Sequence, residues 1–197
     1  MVARTLMTAT EFEMLPLSDG RFELLAGELV EMAAAGGQHS RIGTRFLSRL
    51  DTYTDEHGHG SAYGPDTGFV IQERPDTVVV PDVAFVRAER LAPEDEQTGF
   101  LRLIPDLVLE VVSPYDTRRE VADKLALYLA VGVAVILVAD SVSMTIVVHR
   151  PGEASVTLTE EDLFAAEGLV PGFTVRVRDI LRPRSDRAAE RESESSG

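Results

Sequence analysis

Residues 105–124 read PDLVLEVVSPYDTRREVADK, and the rest of the chain is organised around this stretch. Residues 107–112 form an apolar, β-branched run between turn residues, a pattern that predicts a buried central strand. A Ser-Pro pair then stops the strand, and Asp116 is in position to cap a helix. Apolar side chains recur at helical spacing beyond it, so we expect this helix to end near Gly132.

Glu110 lies in the middle of the predicted strand, where a carboxylate is costly to bury unless something pairs with it. The two available partners are a bound cation and the ammonium group of Lys124 on the following helix. Lys124 is the only lysine in a chain that has eighteen arginines. A composition biased toward arginine would also leave few lysines. We favour a functional interpretation, because the pKa of a lysine, unlike that of an arginine, can be lowered at a site that exchanges a proton or orients water.

The length and composition are typical of a globular protein, with 197 residues, 44% hydrophobic and 26% charged. They predict one domain over residues 1–181, followed by a polar tail at 182–197 that we expect to be disordered. No apolar run is long enough to span a bilayer, and the first residues lack a signal-peptide pattern. We therefore expect a cytoplasmic protein that does not associate with a membrane.

Charge and cysteine content restrict the chemistry further. The chain has no cysteine, which excludes disulfides, a thiolate nucleophile and Cys-ligated zinc. Any metal must then be held by carboxylates, imidazoles, carbonyls and water, a ligand set that favours Mg²⁺ or Mn²⁺. The net charge of −14 argues against broad, nonspecific attraction to nucleic acid. A DNA-directed protein of this composition must supply its cations locally.

The remaining segments predict a hairpin, a long helix and several strands around the central pair of elements. Residues 21–32 contain two short β-like runs around Ala26 and Gly27, which is typical of a hairpin. An amphipathic helix is predicted over residues 38–55. Residues 61–72 are predicted to form one extended strand, with a bulge or close approach at Gly68. Strands are also predicted over residues 133–139, 143–150, 155–159 and 173–177, with a loop that contains Leu163, Phe164 and residues 170–172.

Asp82 poses the same problem as Glu110, because it interrupts an apolar run at residues 78–86. A Pro-Asp pair is prone to turns, so capping of a turn is one interpretation. The other is that Asp82 and Glu110 converge across neighbouring strands and form an oxygen-lined site for Mg²⁺ or Mn²⁺, with the Val111 carbonyl as a further ligand. Lys124 beside them would orient a water molecule or stabilise charge on a phosphate. These groups suit metal-assisted phosphodiester hydrolysis.

The order of these motifs resembles the Uma2 family, formerly a domain of unknown function within the PD-(D/E)XK restriction-endonuclease-like superfamily. The resemblance extends over residues 8–180 and depends on several separated motifs in the right order. They are residues 22–32, His39, Gly68, residues 81–83, residues 105–114, Asp123 with Lys124, Tyr128, and Gly132 with Val133.

The resemblance implies an α/β fold with a restriction-endonuclease-like mixed central β-sheet flanked by α-helices, an added N-terminal hairpin and C-terminal strands. It implies that Asp82 and Glu110 bind the metal, that Lys124 is the catalytic lysine, and that Glu23 is a further candidate for the metal site. In the usual superfamily pattern the lysine follows the second acid by two residues, where this chain has Val112. Lys124 on the adjacent helix would project its ammonium group into the same pocket.

The implied function is a Mg²⁺- or Mn²⁺-dependent endonuclease that acts on DNA. His39 at the start of the long helix is a candidate for binding substrate, as are Arg118 and Arg119, for which a solvated helix face is the alternative. Two other functions stay open. One is a noncatalytic nucleic-acid-binding or regulatory module on the same fold, which the acidic charge favours, and the other is a hydrolase of another phosphate ester. A homodimer would suit an enzyme that cuts both strands, although no sequence feature fixes it.

Overall fold

The computed structural model describes residues 6–16, 20–33, 36–93 and 97–182. Apart from residue 182, the predicted tail therefore lies outside the described residues. Among the described residues, no helix combines the length and the apolar composition that crossing a membrane requires. The elements in chain order are α1 (Ala9–Glu13), β1 (Arg21–Leu25), β2 (Glu28–Met32), α2 (Gly37–His57), β3 (Gly60–Tyr63), β4 (Phe69–Gln72), β5 (Thr77–Val79), β6 (Val83–Arg87), a 3-10 turn (Ala88–Arg90), β7 (Leu107–Val111), α3 (Arg118–Val131), β8 (Val135–Asp140), β9 (Thr145–His149), β10 (Val156–Leu158), β11 (Leu163–Ala165), β12 (Thr174–Arg176) and α4 (Val177–Leu181).

The larger sheet has six strands within the described residues, in the order β10-β9-β8-β7-β6-β3. The central strands β7 and β8 run parallel, and their neighbours pair with them antiparallel. Parallel neighbours need a crossover connection, and α3 supplies it. The predicted mixed central sheet is therefore confirmed, together with the N-terminal hairpin β1–β2 and the C-terminal strands.

Helices α2 and α3 cover opposite faces of this sheet, and the alternation of side chains along β7 decides which residues each helix meets. Leu107 and Leu109 belong to the core that contains the buried face of α2. Val108 faces the other way and packs in the cluster that contains Tyr128 of α3. Glu110 follows Val108 by two residues, so its carboxylate lies on the α3 face.

A second sheet within the described residues has the order β2-β1-β5-β4 and is antiparallel throughout. Residues 80–82 connect β5 of this sheet directly to β6 of the larger one. This short connection places Asp82 at the junction of the two sheets. It also brings β1, which pairs with β5, close to the end of β7.

The prediction of one strand over residues 61–72 is wrong. Residues 60–63 form β3 at the edge of the larger sheet, whereas residues 69–72 form β4 of the smaller sheet. Pro65, which lacks an amide donor, lies in the turn that separates them. The predicted close approach at Gly68 is present, since a Cβ atom there would lie 2.4 Å from the ring of Phe100.

Two further local predictions need correction. Thr117, and not Asp116, caps α3, because Thr117 and Glu120 form a reciprocal capping box. Asp116 instead accepts a hydrogen bond from the amide of Ser113 at 2.8 Å. Residues 163–165, predicted as loop, form β11, because their pairing with β12 buries Phe164 in the core under α2.

Gly60 tests the junction between α2 and the edge of the larger sheet. Its φ is +140°, and a Cβ atom would lie 2.1 Å from the Val86 carbonyl oxygen. We expect Gly60→Ala to lower the free energy of unfolding by about 2 kcal/mol or more, because the strained backbone and the clash add together. The control is Gly37→Ala, where a Cβ atom would meet nothing within 4 Å. Equal urea midpoints for the two variants would contradict this account.

Candidate active site

The predicted catalytic and metal-binding residues meet in a pocket of about 560 Å³ at the junction of the two sheets. The pocket lies where β6 begins and β7 ends, with β1 on one side and α3 on the other. Its lining includes the four acidic and basic side chains on which the sequence argument depends: Glu23, Asp82, Glu110 and Lys124.

Asp82 is held at the end of β7 by three neighbours. Its Oδ2 atom accepts a hydrogen bond from the Val111 amide at 2.9 Å and lies 3.2 Å from His39 Nε2. Arg21 lies on the other side, with an Nη atom 3.8 Å from Oδ1. Burial alone would raise the pKa of Asp82, but the hydrogen bond from His39 and its charge outweigh this and lower it. Asp82 is therefore an ionised carboxylate. The hydrogen bond that His39 makes to it raises the pKa of His39 in turn.

Glu110 is reached by two donors from one face of α3. Lys124 Nζ lies 3.1 Å from Glu110 Oε1, and the Tyr128 hydroxyl donates to the same oxygen at 2.5 Å. Lys124 and Tyr128 are four residues apart, so they share a helix face one turn from each other. The helix thus presents an ammonium group and a hydroxyl to a carboxylate on the strand beneath it.

Glu23 completes the arrangement from the smaller sheet. It is 5% exposed, so it does not lie on an exposed face of its strand. Its Oε1 atom lies 3.0 Å from Lys124 Nζ and accepts a hydrogen bond from the Val80 amide at 2.9 Å. Glu23 therefore pairs with the lysine and accepts a hydrogen bond from the main chain that connects the two sheets.

The shared charge of this cluster shifts two pKa values strongly. Burial raises the pKa of Glu110 to about 7, and the nearby Asp82 and Glu23 carboxylates add to the effect, while Lys124 opposes it. Burial lowers the pKa of Lys124, but Glu110 and Glu23 outweigh it and raise that pKa above its ordinary value. Lys124 is thus a permanent cation at neutral pH, whereas Glu110 can gain or lose a proton there.

The residues that could hold a divalent ion are Asp82, Glu110 and the main-chain carbonyl of Val111. Within residues 6–16, 20–33, 36–93 and 97–182, no group of three or more His, Asp or Glu side chains is arranged to hold a metal. A site here must therefore combine two carboxylates with a carbonyl and water. This oxygen-only set fits Mg²⁺ and Mn²⁺, since Mg²⁺ keeps several of its waters and binds through one or two carboxylates.

The three candidates for binding substrate do not share one place. His39 lines the pocket beside Asp82. Arg118 and Arg119 are exposed residues of the first turn of α3 and are not part of the described lining, and Arg119 lies 3.6 Å from Asp123. Their contact with phosphate stays a prediction.

Sequence reasoning missed Arg21 and the role of Tyr128. Arg21 lines the pocket, donates to the Pro65 carbonyl at 3.1 Å, and has a buried Nε atom without a hydrogen-bond partner among the described residues. The available signal was the spacing, since Arg21 and Glu23 are two residues apart on β1 and so share a face. Tyr128 was predicted as part of the apolar stripe of α3 and as one of the motif residues, but its contact with Glu110 was not predicted.

Comparison with known proteins matches this chain to a family. The family model described as "Uma2: Putative restriction endonuclease" matches residues 9–178, which confirms the resemblance drawn from the motifs. A crystal structure described as that of "a putative nuclease belonging to DUF820 from Anabaena variabilis" superposes with a TM-score of 0.76 at 19% identity, covering 89% of this chain and 97% of the other. Likeness at this identity concerns the fold, and it supports the α/β architecture described above. No curated protein matches the chain.

The lysine tests how far the two buried acids depend on one cation. We expect Lys124→Met to lower the free energy of unfolding by about 2–4 kcal/mol near pH 8, because Glu23 and Glu110 lose their common partner. The matched control on the same helix is Arg119→Met, whose side chain is 90% exposed and should cost below about 1 kcal/mol. Urea denaturation measures both, and similar losses for the two variants would contradict the assignment.

Glu110 should leave a signature in the pH dependence of stability. Its pKa is about 7 in the folded protein against an ordinary value of 4.5, so between these values the folded state binds one more proton. Stability from this group is thus full below pH 4.5 and falls as pH rises to about 7. In Glu110→Gln this loss is absent, so the stability of the variant relative to wild type should grow across that window, by roughly 2–3 kcal/mol. A difference that is flat with pH would refute the shifted pKa.

Proposed function

The chain belongs to the Uma2 family, and we propose that it is a divalent-metal-dependent endonuclease that hydrolyses phosphodiester bonds in DNA. One observation carries the proposal. Asp82, Glu110 and Lys124, which are remote in sequence, line a single pocket at the junction of the two sheets. An ionised carboxylate, a second carboxylate of tunable charge and a fixed cation are the groups that hydrolysis of a phosphodiester needs.

Asp82, Glu110 and the Val111 carbonyl would hold Mg²⁺ or Mn²⁺. When bound, such an ion would polarise a phosphoryl oxygen and lower the pKa of a water molecule. A further cation is supported on the side of Lys124, because Glu23 and Glu110 both pair with this one ammonium group, whereas Arg21 and His39 lie at Asp82. Burial raises the pKa of Glu110 and the nearby carboxylates add to the effect, so this carboxylate would gain most from a bound cation.

Lys124 acts as a cation in this proposal. Its raised pKa disfavours loss of a proton at neutral pH, so of the two roles considered for the lysine, charge stabilisation is preferred over proton exchange. Glu23 and Glu110 fix the ammonium group from two sides, at 3.0 and 3.1 Å. A preorganised cation that does not have to reorient stabilises negative charge that develops on a phosphate.

His39 and Arg21 extend the positive part of the pocket on the far side of Asp82. They supply the local cations that a protein of net charge −14 must provide for a phosphate. Glu23 would act by positioning Lys124, and its role as a metal ligand is the weaker alternative. Cytoplasmic location, one domain over residues 1–181 and a homodimer stay predictions.

Hydrolysis of another phosphate ester is the second candidate function, and the volume of the pocket favours it. A pocket of about 560 Å³ is large enough for a small molecule. A noncatalytic module on the same fold would instead leave the buried carboxylates with a purely structural role.

The proposal is tested by plasmid nicking and by calorimetric titration of Mn²⁺. We expect wild type to bind Mn²⁺ and to nick DNA, and Asp82→Asn, Glu110→Gln and Lys124→Met to lose at least about 100-fold in cleavage rate, because each removes a group that meets the phosphate or the ion. Only the two carboxylate variants should also lose Mn²⁺ binding. Met14→Ala is the control, at an exposed residue outside the described lining, and should cleave as wild type does.

Cleavage that survives both Asp82→Asn and Lys124→Met would remove the assignment. Wild type that neither binds Mn²⁺ nor gains thermal stability from it would favour the noncatalytic module, because a ligand that binds the folded state stabilises it. Binding without nicking would favour the hydrolase of another phosphate ester.

A further inference from the structure

Tyr115 is a large aromatic residue at the mouth of the pocket. It belongs to none of the hydrophobic core clusters that the described residues form. It lines the pocket, yet it is 82% exposed. The turn that carries it is fixed at both ends. The Ser113 amide bonds to Asp116 at 2.8 Å, and the Thr117 capping box begins α3 immediately afterwards. The ring is therefore displayed from an ordered main chain, so that ordering it on a ligand costs little conformational entropy.

Apolar side chains share the pocket lining with the charged ones. Val30 of β2 lines the pocket and is 40% exposed, although a side chain of this type is more often buried. Met32, Val121 and Leu125 continue the same lining from β2 and α3. An aromatic rim and an apolar wall next to cations suit a ligand that has a flat apolar part joined to an anion.

The outer rim carries negative charge. Glu31, Asp116 and Glu120 line the pocket and are exposed, whereas the cations Arg21, His39 and Lys124 lie deeper, around the carboxylates. Duplex binders gain most of their affinity by neutralising several phosphates along the backbone. This rim would repel the flanking phosphates of a duplex, so affinity must come from contacts inside the pocket.

We propose that the pocket takes one unpaired nucleotide, with its base stacked on Tyr115 against the apolar wall and its phosphate toward Arg21, His39 and Lys124. The substrate class is then single-stranded or locally unpaired DNA, and this inference rests on the proposed nuclease function. A base must leave a duplex stack to enter such a pocket, which costs least where it is already unpaired. Stacking on an aromatic ring serves every base, so the site selects strandedness and not sequence.

The experiment compares a short fluorescein-labelled DNA strand with the same strand annealed to its complement. Anisotropy in chelator measures binding to the full chain, and gel assays with Mn²⁺ measure cleavage. Wild type should bind the single strand at least about tenfold tighter than the duplex. Tyr115→Ala should weaken single-strand binding roughly 5- to 150-fold, the loss expected for one stacked base. Tyr115→Phe keeps the ring and should bind as wild type does.

Met14→Ala is the matched control, since Met14 is also an exposed apolar residue, 78% accessible, and is not part of the described lining. Equal affinity for single strand and duplex, or a Tyr115→Ala variant that binds as wild type does, would overturn the inference. If cleavage then still depends on Asp82, the nuclease stands and only its substrate class falls. Single-strand binding that requires Tyr115 without cleavage by wild type would keep the inference and remove the nuclease.

Discussion

The ammonium group of Lys124 lies 3.0 Å from a carboxylate oxygen of Glu23 and 3.1 Å from one of Glu110, and three separate segments depend on this contact. Glu23 belongs to the smaller sheet, Glu110 to the larger, and Lys124 to the helix that connects its two parallel strands. Either carboxylate would be costly to bury in its charged form without a cation. The ion triad thus joins the two sheets at the point where the pocket forms.

Two carboxylates, Glu23 and Asp82, also hold the main chain around the connection between β5 and β6. Glu23 accepts a hydrogen bond from the Val80 amide at 2.9 Å, and Asp82 accepts one from the Val111 amide at 2.9 Å. A side chain that satisfies main-chain donors on a neighbouring strand has little freedom to rotate. The acids are consequently held in place before any ligand arrives, a condition for strong electrostatic stabilisation of a transition state.

Charge in this protein is segregated on a small scale. The whole chain has a net charge of −14, yet the pocket lining brings Lys124, Arg21 and His39 together with three acids. The balance between them keeps Asp82 ionised, raises the pKa of Glu110 to about 7 and keeps Lys124 protonated. Two carboxylates of one pocket therefore differ in pKa, because the donors of Asp82 outweigh its burial, whereas the burial of Glu110 and the like charges nearby outweigh Lys124 and Tyr128.

The sequence by itself determined the elements whose signals are local. A continuous apolar, β-branched run marked β7, helical spacing marked α2 and α3, and a turn between two short runs marked the β1–β2 hairpin. The motif order also predicted Asp82, Glu110 and Lys124 as site residues, and these three line one pocket. Tertiary structure alone decided that residues 60–63 and 69–72 belong to different sheets, that Glu23 is buried against Lys124, and that Arg21 enters the pocket. Periodicity fixes which face a side chain occupies, whereas strand pairing and the meeting of faces depend on contacts between segments remote in sequence.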